Sequence, residues 1–514
     1  MYQAADMALT REKALALPEQ AVLAPAIASA QPDDPVWRGR PSQRSLVEIH
    51  TVSGPGAGRV WALGAGIHDI GPAPGSTIEI TGNGVPELGV QVKISPSGQA
   101  RLLWPGEAAG ASVIRMDMIS SGKDAAIARQ EGGEITWPIG ADLVFGDTLL
   151  RITSPSVADA ALVSSPDRPG YDYIRTPRIA QALPGGRFLL PSPPASRRRF
   201  RTSASRGDIK AYWERRAATI VRIRQAVAAE RQLRCDTLMD PASAALTAIG
   251  PGRRLWERRR GDADHLVLRV GTVDQPSMIE IEDPSREEAR RIVRWKLPDV
   301  PLAVDVAAGG VLGLAGSTAA MRAIASWMVV QAAVLHSPRE LQICVLTDGR
   351  APAAWDWVRR LPHARRGLSV LVGHDPETVD DCVGELMSVI RARGHGGAGA
   401  ASSVVLGEPD IIVVLDSARR LDHVDGIERI LADGPDARVF SICLDEQERL
   451  LPRERTGVVW CDPTAVAVSR QGLPDYTGVR PDLVTRAWCD RVAGSLAELR
   501  DVPMAARAAF APSA

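Results

Sequence analysis

Lysine is nearly missing from these 514 residues: Lys13, Lys93, Lys123, Lys210 and Lys296 are five of 61 basic positions, and arginine fills the rest. With the heavy use of Ala, Gly, Pro and Val, this fits a GC-rich coding sequence rather than a functional adaptation. Cys235, Cys344, Cys382, Cys443, Cys461 and Cys489 form no C-x-x-C pair, which argues against a zinc ribbon or a dithiol redox site. Cys344 and Cys443 lie inside apolar strand patterns and are expected in the core of a reduced, cytoplasmic chain. The eight histidines show no ligand spacing, so no metal site is expected. No run of about 18 uncharged apolar residues and no signal-peptide pattern is present, so no membrane span is expected. The formal net charge of zero argues against a wholesale nucleic-acid binder.

What is present is enough chain for about three domains, with an ordinary 45% hydrophobic content. Residues 1–44, rich in Ala, Pro, Gln and Asp, are expected to be a mobile leader. From Val47 the pattern becomes short alternating runs separated by Gly/Pro turns, ending near Ile152. That rhythm predicts an all-β sandwich over 45–153. Residues 154–206 recur in proline and close on the basic run Arg197–Arg201, which reads as a solvated linker. A helical stalk is expected over 207–250. In it Ile209, Trp213, Ala217, Ile220, Ile223 and Val227 form one apolar stripe, and the arginines lie elsewhere.

Strand-like runs then alternate with helical stretches over 251–503, predicting a mostly parallel, doubly wound α/β sheet, followed by a tail, 504–514. The predicted strands include Ala303–Val306, Val311–Ala315, Leu341–Thr347, Leu368–Val372, Ile411–Leu415, Val439–Leu444 and Gly457–Trp460. The predicted helices are Thr318–Leu335, Asp375–Ala392 and Asp482–Leu499. Arg253, Arg254, Arg258, Arg259 and Arg260 make a basic patch, expected to be a surface or interdomain contact with nearby acids. The Gly-rich stretch Arg393–Ser403 follows a helix and so reads as a loop, not a phosphate cradle.

The organising stretch is VLGLAGSTAAMRAIASWMVVQAAVLH, residues 311–336: a strand, a glycine turn and a long helix. That is the layout of a P-loop, whose helix N-terminus cradles phosphates. Laying G-x-x-x-x-G-K-[ST] on it from Gly316 puts Met321 at the second glycine, Arg322 at the lysine and Ala323 at the hydroxyl. Met321 adds a side chain where backbone must approach phosphate. Arg322 replaces a compact ammonium with a wider planar group, and Ala323 removes an Mg²⁺ ligand. Asp416 ends the run Ile411–Leu415 as a Walker-B carboxylate would, but Ser417 follows where a hydrolytic motor carries Glu. The expected nucleotide site is therefore vestigial: Gly316, Ser317 and Thr318 as its turn, Asp416 as the former metal carboxylate. Arg322 is either an anion contact or a partner of Asp416. No catalytic residue is expected; ATP with Mg²⁺ is possible but not expected.

Two resemblances follow from particular words. VEIHTVSGPGAGRVWAL, the IG of GIHDIGPAPGSTIEI and PIGADLVFGDTLLRI resemble a forkhead-associated (FHA) domain. Phosphothreonine readers of that family carry Arg directly after the IG; here Pro72 stands there, and GNGVPELGVQV lacks the following Ser and His. The resemblance implies an FHA-like fold without phosphopeptide binding. GPGRRLWERR, DADHLVLRVG, VAAGGVLGLAG, AVLHSPRELQICVLTD, AAWDWVRRLPH, DIIVVLDSARRL and SICLDEQERLLP resemble the FtsK/SpoIIIE-type ATPase of type VII secretion systems (EccC/EssC-like). This implies an N-terminal FHA-like region, a stalk and a degenerate ATPase-like domain, here without membrane helices between Phe200 and Asp208 and without motor modules. Such a chain is either an engineered soluble piece or a reduced paralogue. The implied role is a cytoplasmic scaffold or regulator that meets secretion subunits, a motor ATPase or its own copies, reaching the inner membrane face through them. An atypical NTPase and a phosphopeptide adaptor are the alternatives, and DNA is disfavoured.

Overall fold

Alternating apolar residues in the first third pair their strands into two mostly antiparallel sheets. The computed structural model describes residues 45–82, 90–104, 114–118, 123–126, 133–156, 159, 161–164, 169–173, 175, 178, 185–194, 205–394 and 408–502, with the short strands Val22–Leu23 and Trp37–Arg38. The rest of the leader, the loop after Gly82, the Arg197–Arg201 run, most of the Gly-rich loop and the tail lie outside the described residues.

One sheet of the sandwich holds β1 (Val47–Pro55), β2 (Val60–Leu63), β7 (Ile114–Met118), β8 (Lys123–Ala126), β10 (Asp142–Phe145) and β11 (Thr148–Thr153). The other holds β3 (Gly66–Gly71), β4 (Ile78–Glu79), β5 (Val90–Ile94), β6 (Ala100–Trp104) and β9 (Gly133–Trp137). Their inward residues, among them Ile49, Trp61, Val92, Leu102, Trp137 and Leu150, form one core, as two facing sheets require.

The segment between the sandwich and the helices adds strands to the second half. Within it β12 (Ala161–Ser164) pairs with β13 (Tyr171–Tyr173), and β13 runs parallel to β26 (Leu499–Asp501) near the C-terminus. Strand β14 (Gly186–Leu189) runs parallel to β16 (Ile279–Glu282). Between them in sequence come α1 (Arg206–Thr237) and α2 (Pro241–Ile249). Helix α1 starts at a Ser205/Asp208 capping box. Its stripe packs only from about Ile220 onward, where Ile223 and Val227 are buried. Ile209 and Trp213, expected on the buried face, are 43% and 58% exposed, and Tyr212 is buried instead. Tyr212 and Arg216 turn towards the body in these first turns, and the Ile209/Trp213 side faces away from it.

The second half is built on one sheet of ten strands. Its order is β20 (Val372–Gly373), β19 (Leu341–Thr347), β21 (Asp410–Asp416), β22 (Val439–Asp445), β18 (Val311–Gly316), β23 (Gly457–Cys461), β24 (Val466–Arg470), β25 (Leu473–Leu483), β15 (Val267–Pro276) and β17 (Lys296–Asp305). The first six are parallel and the last four antiparallel, so the sheet is mixed. Helix α3 (Thr318–Leu335) covers one face with α2 and α6 (Arg486–Ala497). Helices α4 (Pro376–Gly394) and α5 (Ile427–Asp433) cover the other with Leu451. Helices on both faces account for the apolar runs inside β19, β21 and β22, whose polar residues lie mostly at the strand ends.

Four sequence expectations shift. Strand β17 begins at Lys296, well before Ala303, and Val306 already opens a helical turn. Leu368–Val372 is not one strand: Ser369–Val370 and Val372–Gly373 pair separately. The last helix starts at Arg486 because Asp482 and Leu483 belong to β25. Arg258 of the basic patch is fully buried, donating to the Val267 and Thr237 carbonyls. Helix α3 is long and apolar enough to cross a membrane by length and composition, although no such span was expected. Here it is a core helix, with Trp327 to Val330 and Ala332 to Leu335 all at 0% exposure.

Sandwich and sheet are joined directly. Gly54 and Pro55 of β1 pair parallel with Asp482 and Leu483 of β25. Arg269 donates to both Asp482 oxygens and to the Val52 carbonyl. Asp142 of β10 accepts from Arg151 and from Arg231 of α1. Burial would push the Asp142 carboxyl up, but the two guanidinium groups outweigh it and hold it well below the usual carboxylate range.

Candidate functional site

In an open α/β sheet ligands bind beyond the carboxyl ends of the strands, where the strand order reverses. That point is β18: the chain leaves it outward to β19, returns through β21 and β22, then crosses to β23 on its other side. Beyond it lies a cleft of about 430 Å³ lined by Gly316, Ser317, Glu446, Glu448, Trp460 and Asp462, among others.

The turn at its base is very short. Gly316 ends β18, Ser317 caps α3 without a side-chain hydrogen bond, and Thr318 is already helical. The Met321 amide donates to the Ser317 carbonyl at 2.8 Å, closing the first helical turn. No loop exists to wrap a phosphate. Gly316 has its own reason: its φ is +124°, and a Cβ there would stand 2.4 Å from the Cys461 carbonyl oxygen of β23. The glycine serves the approach of two strands. Met321, at the second glycine position, is 2% exposed in the core beneath α3.

Asp416 ends β21, two strands from β18, with β22 between. Arg322 bridges that gap: its Nε donates to Asp416 Oδ2 at 2.7 Å and an Nη to Oδ1 at 3.4 Å. The Trp355 indole N–H donates to Oδ2 at 2.8 Å. Trp355 is buried and stacks near Trp357, so the 352–364 segment is pinned over the carboxylate. Ser417, next in sequence, holds a left-handed φ of +74°, a strained geometry for a residue with a Cβ.

The cleft is acidic. Glu448 accepts from the Trp460 indole at 3.0 Å and from Arg455 at 3.4 Å. Hydrogen bonds from Thr464 to Asp462 hold that carboxyl below its ordinary value. These carboxylates complement the positive end of α3. A Mg²⁺–triphosphate needs a backbone cradle, a compact cation and a free carboxylate. These residues supply an acidic mouth, no cradle, and an Asp416 already filled by protein donors. The donor set does not fit that group. Gly316 and Ser317 line the cleft, Thr318 begins the helix, and Arg322 with Asp416 sits apart as a pair. Trp355, Glu446, Glu448, Trp460 and Asp462 went unnoticed as site residues. Trp355, Glu446 and Glu448 lay in the family-like words AAWDWVRRLPH and SICLDEQERLLP, Trp460 closed a predicted strand, and Asp462 lay in no quoted word.

No family model matches the chain. The ESX-4 secretion system protein EccC4 of Mycobacterium tuberculosis is 33% identical over 136 residues, 24% of this chain and 11% of that protein. The ESX secretion system protein EccC of Thermomonospora curvata is 25% identical over 343 residues, 60% of this chain and 25% of that protein. The chain thus spans between about a tenth and a quarter of these curated relatives. Among solved structures, the cytoplasmic domain of the Thermomonospora curvata type VII secretion ATPase EccC aligns at a TM-score of 0.35 and 15% identity, covering 47% of this chain and 32% of that one. Thermomonospora curvata EccC ATPases 2 and 3, in complex with a signal sequence peptide, align at 0.32 and 16%, covering 48% and 50%. At those scores the structural likeness carries no weight. On the sequence relation, the chain is a homologue of the EccC proteins of ESX type VII secretion systems.

Proposed function

We propose that this chain is a non-catalytic scaffold or regulatory module of a type VII secretion apparatus. In this reading an FHA-like sandwich is fused to a degenerate ATPase-like domain, and both serve assembly or control of an export ATPase. One observation supports it above the rest: Arg322 and Trp355 occupy the Asp416 carboxylate that a metal-bound nucleotide would need. The half-buried Pro72 adds to it, since proline offers no donor to a phosphothreonine. The partners would be secretion subunits, a motor ATPase or further copies of this chain, met in the cytoplasm at the inner membrane face.

Calorimetry with ATP and Mg²⁺ on the full chain, with a hydrolysis assay, tests the proposal. Neither heat nor turnover is expected. Micromolar binding would instead favour an atypical nucleotide sensor at the α3 N-terminus. Turnover lost in Asp416→Ala would make the chain an enzyme.

A further inference from the structure

The apolar side chains left uncovered on α1 form a pattern. Ile209, Trp213, Ala217 and Val221 are all exposed, the large ones at 43%, 58% and 50%. A four-residue spacing aligns them in one ridge, about 18 Å long from Ile209 to Val221. Trp213 touches only the edge of Tyr212 among described rings, with centroids 5.1 Å apart. Leaving an indole in water is unfavourable.

Charge surrounds the ridge. Residues 206–224 carry six cations (Arg206, Lys210, Arg215, Arg216, Arg222, Arg224) against Asp208 and Glu214. Arg216 is held by Asp283 at 3.0 Å, and Lys210 lies 3.8 Å from Glu214 with both side chains largely exposed. Arg206 and Lys210 flank the ridge at its free end. The sequence just before Ser205 adds Arg197, Arg198, Arg199 and Arg201. An indole and aliphatic ridge bordered by cations matches the headgroup layer of an anionic bilayer. A second copy fits less well: a ridge of four side chains falls short of the roughly 800 Å² per partner that a stable interface buries.

We propose that the first turns of α1 adhere to anionic membrane surface, inserting Trp213 and Ile209 among the headgroups while Arg206 and Lys210 meet lipid phosphates. This stands apart from the secretion reading, so either can fail alone. The test is flotation of the full chain with vesicles of phosphatidylcholine, alone or mixed with phosphatidylglycerol. Binding is expected only with phosphatidylglycerol and is expected to fall with added salt. Ile209→Ser with Trp213→Ala should abolish it. Arg206→Glu and Lys210→Glu should each weaken it at least about fivefold, the equivalent of about 1 kcal/mol per basic residue. Unchanged circular dichroism will show that these surface variants fold. No binding at low salt overturns the proposal, as does binding that the ridge variant leaves intact. A salt-sensitive DNA shift indifferent to Trp213→Ala, or a dimer that this substitution dissolves, would reassign the ridge.

Discussion

Strand β21 carries a buried aspartate at each end, and the two are held differently. At its amino end Asp410 has a fully buried side chain and meets Arg260, Arg438 and His265, the last at 2.7 Å. At its carboxyl end Asp416 meets one arginine, whose side chain keeps 27% exposure, and one indole. The first end is a structural lock in which two guanidinium groups would be stranded by its loss. The second end has the same kind of filling with fewer partners and a path to water.

Asp410→Ala is the sharpest way to test that contrast. It should cost about 3–5 kcal/mol, because removing one member of a buried ion cluster leaves the others uncompensated. Urea denaturation reads this directly; a cost no greater than that of Asp416→Ala would erase the difference between the two ends. Gly316→Ala comes next. A Cβ 2.4 Å from the Cys461 oxygen at φ +124° should cost about 2–4 kcal/mol, as strained or overpacked sites do. A tolerated alanine would mean the β18–β23 approach is looser than described.

Acid probes the amino end too. Burial first, then His265 and Arg258, push His336 well below its ordinary value, and burial lowers His363 to about 4. Both histidines are therefore neutral when folded, while the unfolded chain takes up their protons below about 6.5. Stability should be full above that pH and fall as pH drops from about 6.5 towards 4, by roughly 2–3 kcal/mol for His363 alone. His363→Gln should flatten part of the slope in denaturation followed across pH. The smallest effect is expected at the carboxyl end. Arg322→Met with Asp416→Leu should cost no more than about 2 kcal/mol: apolar replacement of the ion pair itself is often neutral, and the loss comes from the buried Trp355 indole N–H left without its acceptor. Either single change should be the more costly. A large loss in the double variant would show the pair to be a keystone.

Much of this was legible beforehand, for a physical reason. Helix Thr318–Leu335 and strand Leu341–Thr347 end where the periodicity ended, because the 3.6- and 2-residue periods are local properties of the chain. Where capping and pairing compete, as at Asp482–Thr485, the expected helix gave way to a strand first, because β25 continues until its partner β1 stops. The stripe on α1 was visible, but which part of it would be covered was not.

The sequence by itself determined the long helix after Gly316 and the parallel strands of the central sheet, the strand-end position of Asp416, the burial of Cys344 and Cys443 at 0% exposure, and the kinship with EccC proteins. Tertiary structure alone decided what those residues do. Gly316 answers to Cys461, Asp416 to Arg322 and Trp355, and the proline-bearing segment to strands at 279–282 and 499–501. Each is a pairing between residues far apart in the chain. Local periodicity is blind to such pairs; they are set by which strands lie side by side and by the charges that a shared interior has to neutralise.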